Sequence, residues 1–182
     1  PAQSSTASVK TLDSTTSTTN WDFTNGASCV TDDSSNNEVD MTQGACNDNR
    51  SASFDLGTLP DTWTLRGKTT WTGSQSGNPL FWVGVSDQQH ICAGSGSCDV
   101  GSYNDVTGMF LMHYAGSNYK GSFKTADKMD AGGDQTNLSP TTTAGTTDYY
   151  FEIKREGSSG TVSIFPDDTF GTATATYTSS EI

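Results

Sequence analysis

Residues 63–71 limit the possible folds of this chain more than any other segment, because they alternate with a period of two over nine residues. β-Strand formers fill one face, and charged or hydroxyl side chains fill the other. This pattern predicts a strand with one buried face and one wet face. The residues expected on the buried face are Trp63, Leu65, Gly67, Thr69 and Trp71.

Further segments carry strand patterns of other kinds. Residues 80–85 and 109–114 are apolar on both faces, which is typical of a central strand in a sandwich. Residues 148–165 alternate, turn over 156–160 and alternate again, which predicts a β-hairpin. The Thr-rich residues 171–178 predict a solvent-facing edge strand.

The chain of 182 residues fits a single domain preceded by an arm. Residues 1–20 are nearly all Ser, Thr and small residues, so we expect a linker or an arm that becomes ordered against a partner. The globular pattern starts at Trp21 and Phe23 and covers residues 21–182, with a loop predicted over the polar residues 31–37. Because no segment has a helical period, the sequence predicts an all-β antiparallel sandwich.

The net charge of −12 restricts the partners of this chain. No basic stripe is present to neutralise phosphates, so we expect no binding to nucleic acid. No hydrophobic run approaches the roughly 18 residues that span a membrane, so we expect no membrane insertion. Acidic surfaces are common on extracellular proteins, and they also provide carboxylates for calcium.

Four cysteines in a Ser/Thr-rich chain with few lysines suggest disulfides and a secreted or cell-surface location. Three pairings are possible, and we favour the two local ones, Cys29–Cys46 and Cys92–Cys98. The first bond would contribute roughly 3 kcal/mol in the chain-entropy model. A zinc site is the competing hypothesis, but the chain has no Cys-x-x-Cys pair. Asn49 and Asn137 match the N-glycosylation pattern.

The order of these strands resembles the concanavalin A-like lectin/glucanase superfamily, especially lectin-like modules of large archaeal and bacterial surface proteins. The matching segments are 53–57, 63–66, 81–87, 150–157 and 162–165. The resemblance covers roughly residues 50–170 and implies a jelly-roll β-sandwich with one curved sheet, stapled here by the expected disulfides. Many members of the superfamily bind carbohydrate on the concave face or at the loops above it, and some depend on calcium.

A carbohydrate site requires an aromatic ring that stacks on the sugar and polar side chains that bind its hydroxyl groups. Several aromatic residues stand beside Asp, Asn or Gln in this sequence, and those in Gly/Ser/Asn loops are the best candidates for exposed rings. We expect Trp63 and either Phe81 or Trp82 to be buried. The predicted ligand-binding residues are Trp82, Asp87, Gln88, Tyr103, Asn104, Tyr114, Asn118 and Tyr119.

Two acidic segments could hold a calcium ion, because calcium takes six to eight oxygen ligands from carboxylates and loop carbonyls. One surrounds the Cys92–Cys98 loop and contains Asp87, Asp99 and Asp105. The other is a Gly-rich segment, interpreted as a loop, and provides the predicted metal ligands Asp127, Asp130 and Asp134. The alternative is that these residues only form turns.

Glu38 and Asp40 look like the opening of the catalytic strand of family 16 glucanases, but position 43 is Gln and no second catalytic acid is visible. We therefore expect no enzymatic activity. The sequence favours a non-catalytic, lectin-like extracellular module that binds carbohydrate or mediates adhesion. The alternative is a structural subunit of a surface filament, surface layer or virion that assembles with neighbouring subunits through residues 1–20. A glycoside hydrolase is a distant third.

Overall fold

The computed structural model describes residues 21–23, 30–33, 38–41, 52–70, 77–87, 106–115, 120–129, 134–143 and 148–179. All regular structure in these ranges is β-strand, and every strand pair is antiparallel. Within the same ranges, no helix has the length and apolarity to cross a membrane. The all-β prediction is confirmed for the described part of the chain.

The described strands are short at the start of the chain and longer from residue 62 onward. In chain order they are β1 (Trp21–Asp22), β2 (Val30–Asp33), β3 (Glu38–Met41), β4 (Ser53–Phe54), β5 (Thr62–Thr70), β6 (Gly77–Ser86), β7 (Val106–Ala115), β8 (Lys120–Met129), β9 (Asp134–Thr143), β10 (Asp148–Glu156), β11 (Ser159–Phe165) and β12 (Ala175–Ser179).

Sheet I has the strand order β12-β11-β10-β5. Strands β10 and β11 form a hairpin in which Glu156 lies opposite Ser159, so only Gly157 and Ser158 form the turn. Gly157 has a φ of 64° whereas the φ of Ser158 is not positive, as in a type II′ turn. Strand β5 pairs with β10 over nine consecutive residues without a register shift.

Sheet II has the strand order β6-β7-β8-β9, in which each strand pairs with the next along the chain. The chain therefore leaves sheet I after β5, completes sheet II, and returns to sheet I at β10. All three pairings of sheet II contain register shifts. Pro79 in β6 and Pro140 in β9 both lie at such shifts, as expected because proline cannot donate a ladder hydrogen bond.

One hydrophobic core joins the two four-stranded sheets. Sheet II contributes residues from β7 and β9, and sheet I contributes residues from β10 and β11. Trp63, Leu65 and Val83 pack at its margin and are half-buried. This packing gives the described part the character of a β-sandwich. The buried members are Met109, Leu111, Leu138, Phe151, Ile153, Val162 and Ile164.

Glycines in both sheets leave room for phenylalanine rings on the opposite strand. In sheet I, Gly67 lies opposite Phe151, and an added Cβ at this glycine would collide with the ring. In sheet II, Gly84 lies opposite Phe110, whose ring also lies beside Gly108. Phe110 is buried although its neighbours Met109 and Leu111 face the core. The Phe110 side chain is therefore buried on the face of sheet II that points away from the core.

Two small strand pairs precede the main sheets. Strand β1 pairs with β4, and β2 pairs with β3. The ring of Trp21 lies 6.0 Å from that of Phe23 and 5.6 Å from that of Phe54, measured between centroids. Val30 is buried at the start of β2.

The alternation predicted for residues 63–71 is confirmed over the length of β5. Its even-numbered residues are exposed, and its odd-numbered residues are half-buried. The hairpin predicted for residues 148–165 is also confirmed. Strand β12 is an edge of sheet I with exposed Thr176 and Thr178, so the edge strand predicted for residues 171–178 is confirmed from residue 175 onward, whereas residues 171–174 are not strand.

Three sequence-based predictions are wrong in part. Residues 31–37 do not form a loop throughout, because residues 30–33 belong to β2 and pair with β3. Strand β6 is an edge of sheet II rather than a central strand. An apolar sequence does not by itself determine the lateral position of a strand in its sheet. Asp127 and Asp134 lie in β8 and β9, so these two members of the predicted Gly-rich loop belong to strands, and residues 130–133 lie outside the described ranges.

Candidate binding surface

The outer face of sheet I, which points away from the hydrophobic core, carries the candidate binding surface. It is formed by the outward residues of β5, β10, β11 and β12 together with the loop between β11 and β12. Strand alternation produces it, because residues next to core-facing side chains point the other way. We call it the outer face. Its main members are Arg66, Lys68, Asp148, Tyr150, Glu152, Phe165, Phe170 and Thr176.

Ion pairs fix the charged side chains of the outer face. Arg66 Nε donates a hydrogen bond to Glu152 Oε2 on the neighbouring strand at 2.6 Å. Lys68 Nζ lies 3.4 Å from Asp148 Oδ2, also across strands. Lys154 Nζ lies 2.5 Å from Glu156 Oε1 along the same strand. Each cation has a carboxylate partner, so the strand part of this surface is balanced in charge, and the loop adds the carboxylates of Asp167 and Asp168.

Three aromatic rings meet beside the Arg66–Glu152 pair. The Phe170 ring lies 5.3 Å from that of Phe165 and 6.2 Å from that of Tyr150, with edge-to-face geometry in both contacts. The guanidinium carbon of Arg66 lies 4.6 Å from the Phe170 ring centroid. Such contacts are favourable because the ring quadrupole attracts the cation. Phe170 thus reaches from its loop across β10 to β5.

A local hydrogen-bonded turn orders the loop that carries Phe170, and Phe170 has a strained backbone conformation. Thr169 donates from its backbone nitrogen at 3.0 Å and from its hydroxyl at 2.5 Å to Asp167 Oδ1. Phe170 itself has a φ of 52°, which is the left-handed region that a bulky residue rarely adopts. Its ring contacts offset the strain of this backbone conformation.

The carboxylates of this surface are stabilised in their charged form. The Thr70 hydroxyl donates to Asp148, and this bond together with the Lys68 charge lowers the pKa of the Asp148 carboxyl. Bonds from the Thr169 hydroxyl and backbone lower the pKa of Asp167 in the same way. The hydrogen bond and charge of Glu156 raise the pKa of Lys154.

This arrangement suits binding better than proton transfer. Asp148 and Glu152 lie four residues apart on one strand face, which is about 13 Å and too far for the paired carboxylates of a glycosidase. Asp148 also has a lowered pKa, which opposes a role as general acid at neutral pH. The half-buried ring can instead stack on a flat apolar surface of a ligand. The charged and hydroxyl side chains beside it can bind hydroxyl groups of the same ligand.

The register of sheet II separates the sequence-predicted ligand residues that it describes. Trp82 lies opposite Met112 near the middle of β6, and Tyr114 lies opposite Pro79 near one end of β7. Asp87 is exposed just beyond the other end of β6. Seven residue steps separate the levels of Asp87 and Tyr114, which is about 20 Å. They therefore do not belong to one site of monosaccharide size.

The structure brings together two of the three predicted metal ligands at the backbone level. Asp127 in β8 lies directly opposite Asp134 in β9. Like charges at opposed positions destabilise a strand pair unless a cation or a proton compensates them. Asn137, one of the two predicted glycosylation sites, lies in β9 opposite Lys124.

Several predicted residues fall outside the described ranges. They include the remaining ligand candidates, one metal candidate, one glycosylation site, the arm over residues 1–20 and every cysteine. These residues are Gln88, Tyr103, Asn104, Asn118, Tyr119, Asp130, Asn49, Cys29, Cys46, Cys92 and Cys98.

Sequence reasoning did not single out Phe170 or its partners on the outer face. Arg66 and Tyr150 were assigned only to strand patterns, and Phe170 lies in a stretch without a periodic signal. The alternation of β5 and β10 could have shown that Arg66, Lys68 and Glu152 share a wet face. The position of the Phe170 ring depends on a loop that crosses the sheet, and no local pattern encodes that path.

Comparison of the chain with protein-family models, with curated protein sequences and with solved structures finds no match.

Proposed function

We propose that this chain is a secreted or cell-surface, non-catalytic, lectin-like module that binds carbohydrate on the outer face of sheet I and so mediates adhesion. The observation that carries the proposal is the half-buried Phe170 ring beside the fixed Arg66–Glu152 pair. Sugar recognition combines a ring that stacks on C–H groups with oriented donors and acceptors for hydroxyls.

The charge balance of the outer face supports a neutral glycan as the ligand. The Glu152 side chain is only 15% exposed and its carboxylate is already paired, whereas the Arg66 side chain is 54% exposed. Arg66 can donate to a sugar hydroxyl with its remaining N–H groups without losing its carboxylate partner. An acidic glycan would face the net negative charge of the whole chain.

The proposed module includes a specific sandwich topology, two disulfides and a bound calcium ion. We propose a concanavalin A-like jelly roll with the disulfides Cys29–Cys46 and Cys92–Cys98, as the sequence resemblance and the even number of cysteines suggest. We also propose a calcium ion at Asp127 and Asp134 together with Asp130. The support for calcium is that Asp127 and Asp134 occupy directly opposed backbone positions of β8 and β9.

The test is a glycan-array screen of the full chain, run in parallel with calcium and with EDTA, followed by titration of the bound glycan into variants. Phe170→Ala should abolish binding because it removes the stacking surface, whereas Phe170→Tyr should retain it. Calorimetric melting of each variant checks that the sandwich remains folded. Loss of binding in EDTA would support the calcium part of the proposal.

Trp82→Ala separates the outer face from the residues predicted from sequence. If binding is lost in a folded Trp82→Ala variant and kept in Phe170→Ala, the ligand binds at sheet II and the outer-face site is wrong. If the array gives no specific signal with or without calcium, the carbohydrate function itself is wrong.

The second candidate function is a structural subunit that assembles through residues 1–20. It is favoured by the open edge of β5, which pairs only with β10 in the described part of the chain. Deletion of residues 1–20 should then abolish assembly while the sandwich stays folded. Light scattering that finds polymers of the truncated chain would contradict this candidate.

A further inference from the structure

Sheet I and sheet II have four edge strands in total, and these differ in how they are protected against added strands. Native proteins protect sheet edges with prolines, bulges, shortness or charge. Strand β6 has Pro79 at a register shift, and β9 has Pro140 at another. Strand β12 has only five residues. Strand β5 has nine residues, no proline and no register shift.

The backbone of β5 presents a regular row of hydrogen-bonding groups to its open side. The nitrogen of Gly157 donates to the carbonyl oxygen of Asp61 at 2.8 Å, which makes Asp61 the first residue bonded toward β10. Antiparallel ladders alternate, so the odd-numbered residues of β5 bond to β10. The even-numbered residues direct their backbone N–H and C=O groups away from β10. No described strand lies on that side to bond with these groups. These residues are Thr62, Thr64, Arg66, Lys68 and Thr70.

The two cations of β5 do not protect this edge in the usual way. Charged side chains on an edge strand normally repel an incoming chain or resist dehydration. Here Arg66 is drawn back onto the sheet by Glu152 and by the Phe170 ring, and Lys68 is paired with Asp148. Both charges are neutralised by β10, on the side away from the open edge.

The core-facing side of β5 adds apolar surface at the same edge. Trp63 and Leu65 pack against the core but are only half-buried. Gly67 has no side chain that could cover a neighbour. An added strand would cover the exposed parts of Trp63 and Leu65, which favours a partner with apolar or small residues at the facing positions.

We propose that the outer edge of β5 pairs antiparallel with β5 of a second copy of this chain, so that sheet I continues through a twofold axis into the partner. In this register Leu65 lies opposite the partner's Leu65, and Thr64 lies opposite the partner's Arg66. Trp63 then lies opposite the partner's Gly67, which the Phe151 ring of the same copy covers, so the indole ring can pack against that phenylalanine ring. The resulting interface is isologous and closed.

The positions of the cations on β5 favour this register, and the net charge of the chain favours this place of contact between two copies. A shift of the pairing that placed Arg66 opposite the partner's Arg66 or Lys68 would oppose like charges. In the proposed register, which uses residues 62–68 of each copy, every cation faces a threonine. Two copies of net charge −12 repel each other, so they can meet only where the surface is locally neutral, as it is along β5.

Sedimentation equilibrium of the full chain over a wide concentration range tests the proposal, with a dimer expected for the native sequence. Thr64→Pro removes an outward N–H that β10 does not use, so the variant should fold and should weaken dimerisation at least about tenfold. Thr64→Val is the matched control, because it keeps the backbone N–H and should leave the dimer intact. Circular dichroism and thermal melting confirm that both variants are folded.

Charge variants at the same position test the register. Thr64→Lys faces the partner's Arg66 and should weaken the dimer, whereas Thr64→Glu should strengthen it. A monomeric native chain, or a folded Thr64→Pro variant that dimerises normally, would overturn the proposal. If deletion of residues 1–20 abolishes the dimer and Thr64→Pro does not, the arm is the interface and β5 is not. Equal effects of Lys and Glu at position 64 would overturn the register.

Discussion

Sheet I and sheet II contribute to the same core, yet they are built in different ways. Sheet I pairs without a single register shift, and its central hairpin turns within two residues. Sheet II consists of ten-residue strands whose pairings all contain shifts. The difference follows from side-chain pattern. Strict alternation specifies register because a slip of one residue would move every apolar group to the wet face, whereas strands without alternation tolerate bulges.

The two sheets also use their outer faces differently. Sheet I carries a row of ion pairs and a loop whose Phe170 ring covers part of the face. Sheet II buries Phe110 on the side away from the core. Regular pairing in sheet I therefore goes with a polar surface on which side chains are held at fixed positions, which is the property that a binding surface requires.

The largest expected effect tests whether the two sheets depend on one core. Ile153 in sheet I and Leu111 in sheet II are both 0% exposed. Ile153→Ala and Leu111→Ala should each lower the free energy of unfolding by about 2–5 kcal/mol, because each leaves a cavity. Urea denaturation should show a single transition for both variants. Two separate transitions, or a change confined to one sheet, would show that the sheets unfold independently.

A smaller loss of stability is expected when alanine replaces glycine in either sheet, and it distinguishes crowding of a ring from crowding of the backbone. The three atoms nearest to an added methyl group at Gly67 all belong to the Phe151 ring, whereas those at Gly84 include both the Phe110 ring and the carbonyl oxygen of Met109. Gly67→Ala and Gly84→Ala should each cost about 1–3 kcal/mol of stability through overpacking. A second change, Phe151→Leu, should recover part of the loss at Gly67. The corresponding Phe110→Leu should not recover the loss at Gly84, because the backbone contact remains.

Gly171→Ala is the control for this pair of variants. Its added carbon would lie 3.5 Å from the Thr169 hydroxyl, which is ordinary contact, so denaturation should find a stability close to that of the native chain. Equal losses at all three glycines would mean that the effect comes from backbone entropy rather than from the rings.

Strand patterns in sheet I could be predicted from the sequence, and those in sheet II only in part. The alternation of β5 and β10 is explicit because one face of each strand is polar. The segment of β8, with Lys120, Lys124, Asp127 and Lys128, has no apolar alternation, and neither β8 nor β9 was predicted as a strand. Their strand conformation depends on pairing with β7, which is tertiary context.

The candidate site was less predictable than the fold. Aromatic residues next to Asp and Asn indicate Trp82 and Tyr114, whereas on the outer face of sheet I the structure groups three rings around Phe170. Strand pairing brings Arg66 and Glu152 together although 86 positions separate them in the chain. Contacts of this kind arise from topology, and a search of neighbouring residues in the sequence does not find them.

The smallest expected effect concerns acid stability of the outer face of sheet I. The pKa of Asp148 is lowered in the folded chain by the Thr70 hydroxyl and by Lys68, relative to an ordinary value of 3.8. The stabilisation is therefore present above the ordinary pKa and is lost as the pH falls through the folded value. Asp148→Asn should flatten the decline of melting temperature below about pH 4, as measured by calorimetry between neutral and acidic pH.

Asp168→Asn is the control for this measurement, because Asp168 is exposed and has no hydrogen bond or ion pair in the described structure. Its melting temperature should follow the native pH profile. An unchanged acid profile of Asp148→Asn would show that the Thr70 and Lys68 contacts add nothing to stability.

The ladder between β5 and β10 has a consequence for how the chain reaches its folded state. Its partners lie 78 to 94 positions apart, from Thr70 with Asp148 to Thr62 with Glu156, and all of sheet II lies between them. The β10–β11 hairpin closes over two residues and can form on the microsecond scale, whereas the β5 ladder must first overcome the entropy of a long closed loop. Strand β5 is therefore expected to join its sheet late. During that delay, partly folded chains expose the outer edge of β10 as a temporary template for misassembly.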